Sequence, residues 1–514
     1  MVRQLEYVAQ SVDTYAHLPR IRHPDGTRKF VDNADLWFAS KINATLKKGS
    51  ASDVYWEKKA LPVEKQTKFV EGVRNHSWNR QHMGAMLVGG LDFEVETSSL
   101  VSNCFTLGKF YRMQQQTRRS VILNEVVSNP TLDENDEIQS NFQSRFELYW
   151  DIVDKRPEKF TGFDPYIQDA FKILPLSTKT RFAGNLDLRT AKGYTRWREL
   201  NFLPTAVTEF ADRLYNSISQ EYPIMFRSYL FDNTDSEDEK YEIHLKMADK
   251  IGSNDLMNEP MLWYNDHSFL LPENKYFEKL YNDFHLNTQF KESGPDAMFV
   301  GYFNPLGLKL DDLLDLFKHK NEETKTALEL SSFTFVSKID FSGGIDTWRH
   351  TRSNRIVQPI YHALKHNPRV AMPELHKRQL KQGNSEIPKQ SLEISKESLE
   401  LTQKLISNGT PPKEAINVLP HNFELIQIEM MDVFAFLNLM AIRTCIHARP
   451  EVQMWAKALL REVGKTPDFV GIDNLSDEHS NLLARGIIFG YCAELGTCTK
   501  CGKDVVYIPD PFRG

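Results

Sequence analysis

The pattern of apolar and polar positions predicts a chain that mixes strands with helices. Strand-like apolar runs occur in FEVETSSLVSNCFTLGKFYRM, which begins at Phe93, and in SSFTFVSKIDFSGG, residues 331–344. Each run leads into an Arg-rich segment. The apolar stretch MMDVFAFLNLMAIRTCIHA, residues 430–448, is read as a helix. The order of strand, basic segment, loop, Leu-Pro and long helices predicts the α+β class.

Two polar stretches interrupt this pattern. FDNTDSEDEK, residues 231–240, is acidic and lacks apolar periodicity, so it is read as a linker or an exposed loop. The stretch HKRQLKQGNSEIPKQSLEISKESLE, residues 376–400, is expected to be a solvated, partly helical insertion.

The two sides of the acidic stretch resemble each other. A Leu-Pro pair at Pro175 precedes Arg198 by 23 positions (198 − 175), and a second at Pro420 precedes Arg443 by the same interval (443 − 420). Both segments after the Leu-Pro pairs are read as long helices. Several matches in the same order favour a duplicated domain.

These features define the expected boundaries. An N-terminal domain is expected over residues 1–230, followed by the acidic linker 231–243. A C-terminal domain is expected over 244–475, with a polar insertion at 374–400, and a Cys-containing tail over 476–514.

Composition limits the classes of protein that fit. The chain has 514 residues. Its hydrophobic fraction of 41% is typical of a folded protein with a core. Its net charge of −6 argues against general nucleic-acid coating. The chain begins without a signal-peptide-like apolar segment, and residues 430–442 are too short to span a bilayer. We therefore expect a cytoplasmic protein that does not contact a membrane.

The five cysteines do not form a disulfide framework, since they are few and odd in number. Cys498 and Cys501 have the spacing of a zinc knuckle, with Cys492 nearby. A structural zinc site would need a fourth ligand, for which His479 and His447 are candidates. Three free thiols in a terminal turn are the alternative.

The stretch DTWRHTRSNR, residues 346–355, holds the densest candidate chemistry. It contains Arg349, His350, Arg352 and Arg355. Arginine suits phosphate because its planar fork makes paired, charge-assisted hydrogen bonds. A solvated basic strand end is the alternative reading of the same residues.

Several islands of the sequence resemble the flavin-dependent thymidylate synthases (ThyX). That family has a Phe-Thr-Phe strand followed at a fixed gap by Arg-His, as at 333–335 and 349–350. It later has a helix with Asn and Arg at the interval of Asn438 and Arg443. A family motif with two histidines resembles the segment from His76 to His82.

The resemblance implies the fold, the activity and the ligands. It implies two tandem copies of a ThyX-like domain, each an antiparallel sheet packed with long helices. It implies reductive methylation of dUMP to dTMP with FAD, and methylenetetrahydrofolate and NADPH as co-substrates. The family forms homotetramers. The resemblance therefore implies a homodimer of tandem chains, which would contain the same number of domains.

The resemblance also implies roles for single residues. Arg443 would hold the uracil, and Arg349 and His350 would face the flavin as catalytic residues. Four further positions would help to bind the cofactor: Arg352, Asn438, His76 and His82. Four arginines would bind substrate beside Arg443: Arg352, Arg355, Arg112 and Arg119.

Some positions depart from the family pattern. Thr351 stands where the family has the second Arg of Arg-His-Arg, Pro359 where it has Ser, and Asp432 where it has Asn. In the first half, Arg112-Met113-Gln114 replaces Arg-His-Arg, which is read as an altered phosphate site or as a degenerate copy. A relative that binds nucleotide or flavin without making dTMP, and a nucleic-acid-binding protein using the Cys cluster, remain alternatives.

Overall fold

The computed structural model describes most of the chain. The described residues are 3–46, 50–75, 90–106, 111–115, 121–156, 165–200, 202–226, 268–270, 275–290, 294–312, 322–348, 353–383, 385–444 and 448–473.

Helices and strands follow one another along both halves of the chain. The strands are β1 Glu6–Val8, β2 Ser11–Ala16, β3 Arg20–Arg22, β4 Arg28–Phe30, β5 Gly90–Ser98, β6 Tyr111–Gln115, β7 Glu125–Val127, β8 Lys179–Asp187, β9 Asp296–Phe303, β10 Ser332–Asp340, β11 Ser353–Val357 and β12 Glu424–Asp432. The helices are α1 Ala34–Leu46, α2 Ala51–Lys59, α3 Val63–Val73, α4 Ser99–Thr106, α5 Asp136–Asp154, α6 Pro165–Ala170, α7 Leu188–Thr195, α8 Thr205–Glu221, α9 Lys275–Asp283, α10 Leu286–Gln289, α11 Glu322–Leu330, α12 Phe341–Trp348, α13 Ile360–His366, α14 Glu374–Lys381, α15 Glu386–Ser407, α16 Pro412–Ala415, α17 Val433–Arg443 and α18 Pro450–Val463. Short 3₁₀ turns occur at Phe171–Ile173, Arg196–Glu199, Ser268–Leu270, Ile416–Val418 and Pro467–Phe469.

The chain forms two compact units. Described residues within 1–117, 123–134 and 177–266 form the first, and those within 118–122, 135–176 and 267–514 form the second. The division differs from the expected boundaries, because residues 135–176 pack with the second unit although they precede the acidic linker.

The first unit is built on a four-stranded antiparallel sheet in the order β2-β5-β8-β6. Strand β5 shows why this sequence forms a half-buried strand. Leu91, Phe93 and Val95 are buried, and Asp92 and Glu94 between them point to the other face. The expected β-like run at Phe93 is therefore confirmed, and it ends at Ser98 where α4 begins.

The second unit is built on a four-stranded antiparallel sheet in the order β9-β10-β12-β11. Phe333 and Phe335 of β10 lie on one face and pack against Phe436 of α17, with ring centroids 5.0 and 5.3 Å apart. Trp455 of α18 is fully buried in the same core. Sheet and helices together confirm the α+β class.

The two sheets have the same strand order, and three of the four corresponding strand pairs have equal lengths. Strands β8 and β12 have nine residues each and lie 245 positions apart (424 − 179). Strands β5 and β10 also have nine residues each, 242 positions apart (332 − 90), and each runs directly into an eight-residue helix.

The segments after the Leu-Pro pairs differ from the sequence expectation. Each was expected to be one long helix, but each starts as a nine-residue strand, β8 or β12, before its helix. In β12, Ile426 and Ile428 alternate with Gln427 and Glu429, a pattern with period two. The polar residues Gln427 and Glu429 are buried. The stretch therefore lacks the exposed polar face of an ordinary half-exposed strand.

The two Leu-Pro pairs meet inside the second unit. Pro175 and Pro420 form an antiparallel bridge. The Leu176 N–H donates to the Leu419 carbonyl at 2.9 Å, and the His421 N–H donates to the Leu174 carbonyl at 3.2 Å. These backbone bonds explain why the segment before Ser177 belongs to the second unit.

The polar stretch 376–400 is helical, as expected in part. Most of it lies in α14 and α15. The insertion was expected to be solvated, but only one face of α15 is exposed to solvent. Ile394, Ser395, Ser398 and Thr402 are buried. Ser398 Oγ and Thr402 Oγ1 donate to the carbonyls four residues earlier, which satisfies them inside the helix. Over the described ranges, no helix is long and apolar enough to cross a membrane.

Candidate functional site

The stretch DTWRHTRSNR begins in a helix rather than at a strand end. Strand β10 ends at Asp340, whose Oδ1 accepts the Gly343 N–H at 2.6 Å and so caps the first turn of α12. Gly344 allows the Trp348 ring to lie against the helix, since a Cβ there would stand 2.6 Å from a ring carbon. Residues 349–352, which hold Arg349, His350 and Arg352, lie outside the described residues.

On either side of residues 349–352, Trp348 and Arg355 contact strand β12. Trp348 Nε1 donates to Gln427 Oε1 at 2.7 Å, and Gln427 Nε2 donates to Glu429 Oε2 at 2.9 Å. Arg355 Nε lies 3.0 Å from Glu429 Oε1, with side chains 5 % and 0 % exposed. The expected substrate ligand Arg355 therefore has a buried carboxylate partner. Burial raises the pKa of Glu429, and the Arg355 guanidinium opposes that rise.

Arg443 is placed at the carboxyl end of helix α17. Asp432 begins the helix by accepting the Ala435 N–H at 2.6 Å, and Arg443 ends it. A cation is favoured there because the helix dipole is negative at that end. The partly exposed Arg443 donates through Nη2 to the backbone carbonyl of Asp346 in α12 at 2.5 Å.

A second arginine joins α12 to the start of α18. Arg449 Nε lies 2.9 Å from Asp346 Oδ2, and both side chains are buried. Its Nη1 donates to the Ser342 carbonyl at 3.2 Å and to the Ser342 hydroxyl. Burial alone would lower the pKa of Arg449, but the carboxylates of Asp346 and Glu451 raise it.

A buried lysine lies beside these groups. Lys172 Nζ is 2.8 Å from Glu451 Oε1 and 3.2 Å from Asp340 Oδ2. Burial opposes the ammonium charge, but both carboxylates favour it, so the pKa of Lys172 is raised. Burial raises the pKa of Asp340, whereas Lys172 and Arg449 outweigh burial at Glu451 and lower its pKa.

Lys172, Asp340 and Asp346 were not identified from the sequence. All three are charged residues in apolar stretches, FKILP, SKIDF and GGIDTW. A charge in such a stretch is costly to bury without a partner, and this signal could have marked them.

The remaining candidates are only partly located. Asn438 lies in α17 and Arg112 in β6, and only their backbones are described. The other candidates lie outside the described residues: His76, His82, Arg119, Cys492, Cys498 and Cys501. Within the described part of the chain, no group of three or more His, Cys, Asp or Glu side chains could hold a metal ion.

The described geometry defines an α+β protein whose second unit holds a partly exposed arginine on a buried ionic network. Residues 311–466 match the family model described as thymidylate synthase complementing protein, Thy1, which places this segment in the ThyX family. The match covers less than a third of the chain and includes β10, β11, β12, α12 and Arg443. No curated protein matches the chain. A function related to thymidylate synthesis follows for the matched segment.

The structure shows what the departing residues do in the fold. Pro359, at the family's Ser position, is the N-cap residue of α13. Asp432, at the family's Asn position, caps α17. Asp432 therefore has a structural role at the start of its helix, whereas Pro359 makes no side-chain cap hydrogen bond.

Proposed function

We propose that the protein is a flavin-dependent thymidylate synthase, a methyltransferase that reductively methylates dUMP to dTMP. Methylenetetrahydrofolate would supply the carbon and NADPH the reducing equivalents. The observation that carries this proposal is the family match over residues 311–466, which includes Arg443 at the end of α17. A cytoplasmic location fits this biosynthetic role.

Arg443 is proposed to hold the uracil ring of dUMP. Its guanidinium is permanently charged and partly exposed, and Asp346 orients it. A cation at a uracil carbonyl stabilises negative charge that develops on the ring, which makes its C5 more nucleophilic. Arg352, Arg112 and Arg119 are proposed as further substrate contacts. Arg355 was expected to contact substrate too, but its buried pair with Glu429 favours a structural role.

FAD is proposed as the cofactor, and when bound it would supply the hydride chemistry. The donor chemistry of the site fits it, because the phosphates and the reduced ring are anionic and the candidate ligands are cations and an amide. These ligands are Arg349, His350, Arg352, Asn438, His76 and His82. Arg349 and His350 are proposed to act directly beside the ring.

A tandem pair of ThyX-like domains is proposed from the matching sheets. The same strand order and the constant 245-residue offset between β8 and β12 support a duplication. A homodimer of such chains would resemble the four-domain assembly that the family implies. A structural zinc ion at Cys492, Cys498 and Cys501 is a separate proposal.

A second candidate is a relative that binds nucleotide and flavin but does not make dTMP. Its support is that Pro359, the residue before α13, and Asp432, which caps α17, occupy positions that carry Ser and Asn in the family.

Visible absorbance spectra of the purified full-length chain, as isolated and after addition of FAD, test the flavin proposal. We expect the bands of bound flavin in the wild type and their loss in Arg349→Ala. Absence of these bands after FAD addition and removal of free FAD would contradict a flavin mechanism.

A further inference from the structure

We propose that Lys172, from the N-terminal half of the sequence, is a positioning residue for the nucleotide site at Arg443. The inference rests on the proposed function and adds to it a residue outside the matched segment 311–466. Lys172 lies in the second compact unit together with the groups that it contacts.

The environment of Lys172 is closed to water. Its side chain is 1 % exposed, and its ammonium lies between the carboxylates of Asp340 and Glu451. An ammonium buried in this way is stabilised only while its carboxylates stay in contact. The contact therefore fixes the distance between these two carboxylates.

The two carboxylates belong to the starts of two different helices. Asp340 caps α12 through the Gly343 N–H. Glu451 lies in the first turn of α18. Lys172 thus joins the start of α12 to the start of α18.

Helix α12 connects the Lys172 contact at its start to the residue that binds Arg443. The Asp346 carbonyl, one and a half turns along α12, accepts the hydrogen bond from Arg443. The Asp346 carboxylate is held by Arg449, the residue before α18. A shift of α12 relative to α18 would therefore move the acceptor that orients Arg443.

The charged residues of this network have no charged counterparts at the corresponding positions of the other half. At the 245-residue offset Lys172 corresponds to Asn417, and Glu451 corresponds to Ala206. At the 242-residue offset Asp340 corresponds to Ser98. The two carboxylates therefore belong to the half that contains Arg443 and matches the family, and Lys172 reaches them from the other half of the sequence.

The test uses the full-length chain with Lys172→Met, Lys172→Arg and the double variant Lys172→Met/Asp340→Asn. The double variant removes a carboxylate with the cation, so it keeps the test valid if the single variant does not fold. Lys179→Met is the matched control, because Lys179 is also buried between two carboxylates, Glu96 and Glu125, in the first unit.

Two readouts are needed: dUMP affinity by calorimetry, and hydrogen exchange of the α12 amides. We expect Lys172→Met and the double variant to bind dUMP roughly tenfold more weakly. Their α12 amides should exchange faster, whereas Lys172→Arg restores both readouts towards wild type. Lys179→Met should leave dUMP binding and α12 exchange unchanged.

The two proposals fail in different ways. A wild-type chain that does not bind dUMP overturns the proposed function, and exchange in α12 alone then decides whether Lys172 positions this helix. Wild-type dUMP affinity in folded Lys172→Met, or unchanged α12 exchange in both Met-containing variants, overturns the inference about Lys172.

Discussion

The carbonyl oxygens of Ile173 and Val418 accept hydrogen bonds from the same guanidinium, that of Arg145, at 2.6 Å each. These two residues are 245 positions apart, the same offset as between β8 and β12. Arg145 is fully buried in the second unit, and burial lowers its pKa. One side chain from α5 thus joins both 3₁₀ turns that precede the Leu-Pro pairs.

Replacement of Arg145 by Lys should destabilise the second unit. A lysine has one donor centre in place of a planar fork, so it cannot reach both carbonyls with the same geometry. We expect a loss of about 3 kcal/mol in the free energy of unfolding. Urea denaturation measures it.

Arg181→Lys is the control, because Arg181 is an exposed arginine that pairs with Glu96. Its effect should stay below about 1 kcal/mol. Equal effects of the two variants would contradict a special role for Arg145.

Glu424 should make stability depend on pH. Burial raises its pKa to about 7, while Lys338 and the Gly294 N–H oppose the rise. The folded state therefore binds the proton more tightly than the unfolded state does. The contribution of Glu424 is largest below its unfolded pKa and falls as pH rises, until it levels off above about 7.

Glu424→Gln removes this titration. Relative to wild type, the variant should gain roughly 3 kcal/mol of stability as pH rises through the window from the unfolded to the folded pKa. Urea unfolding at several pH values measures the difference. Glu393→Gln, at an exposed position of α15, should follow the wild-type pH dependence. A constant difference between Glu424→Gln and wild type would show that Glu424 does not titrate in this range.

The buried pair of Arg355 and Glu429 predicts a double-mutant result. Arg355→Met alone leaves a carboxylate without its cation and should cost about 3 to 5 kcal/mol of stability. Adding Glu429→Leu should recover most of that loss, since apolar side chains of similar size can replace a buried ion pair. Thermal unfolding of the two single variants and the double variant measures the coupling.

Nucleotide binding by the same double variant distinguishes the two roles of Arg355. Unchanged dUMP affinity would support the structural role, and lost affinity in a stable double variant would show that Arg355 contacts substrate.

Arg443→Gln should weaken dUMP binding more than it weakens the fold. The side chain is partly exposed and donates to the backbone carbonyl of Asp346, so its loss should disturb the fold less than it disturbs ligand binding. Loss of a charged hydrogen bond to the ligand corresponds to roughly tenfold to a hundredfold in affinity. Calorimetry with dUMP measures it, with Arg461→Gln as a control at an exposed arginine near the end of α18. Equal affinities in the two variants would contradict the role of Arg443.

The sequence predicted the general class but not the local order of elements. Alternation in β5 and the Phe-Thr-Phe run of β10 identified these strands, because their buried face is apolar. Strand β12 was missed because Gln427 and Glu429 face the interior, where Trp348 and Arg355 satisfy them. Such partners are distant in sequence, so local periodicity does not reveal them.

The site was predictable only as far as it depends on motif spacing. The interval between Asn438 and Arg443 led to the family, and the family match includes both positions. Lys172 lies more than 160 positions before Asp340 and outside any motif, so its role depends on a tertiary contact. No spacing rule could have brought these residues together.

Formation of dTMP by the full-length chain tests the central claim most directly. The purified protein would be incubated with dUMP, methylenetetrahydrofolate, FAD and NADPH, and dTMP would be measured by mass. We predict dTMP that requires both FAD and NADPH and is strongly reduced in Arg443→Gln but not in Arg461→Gln. No dTMP from a folded chain that binds dUMP and FAD would contradict the synthase and leave a nucleotide-binding relative.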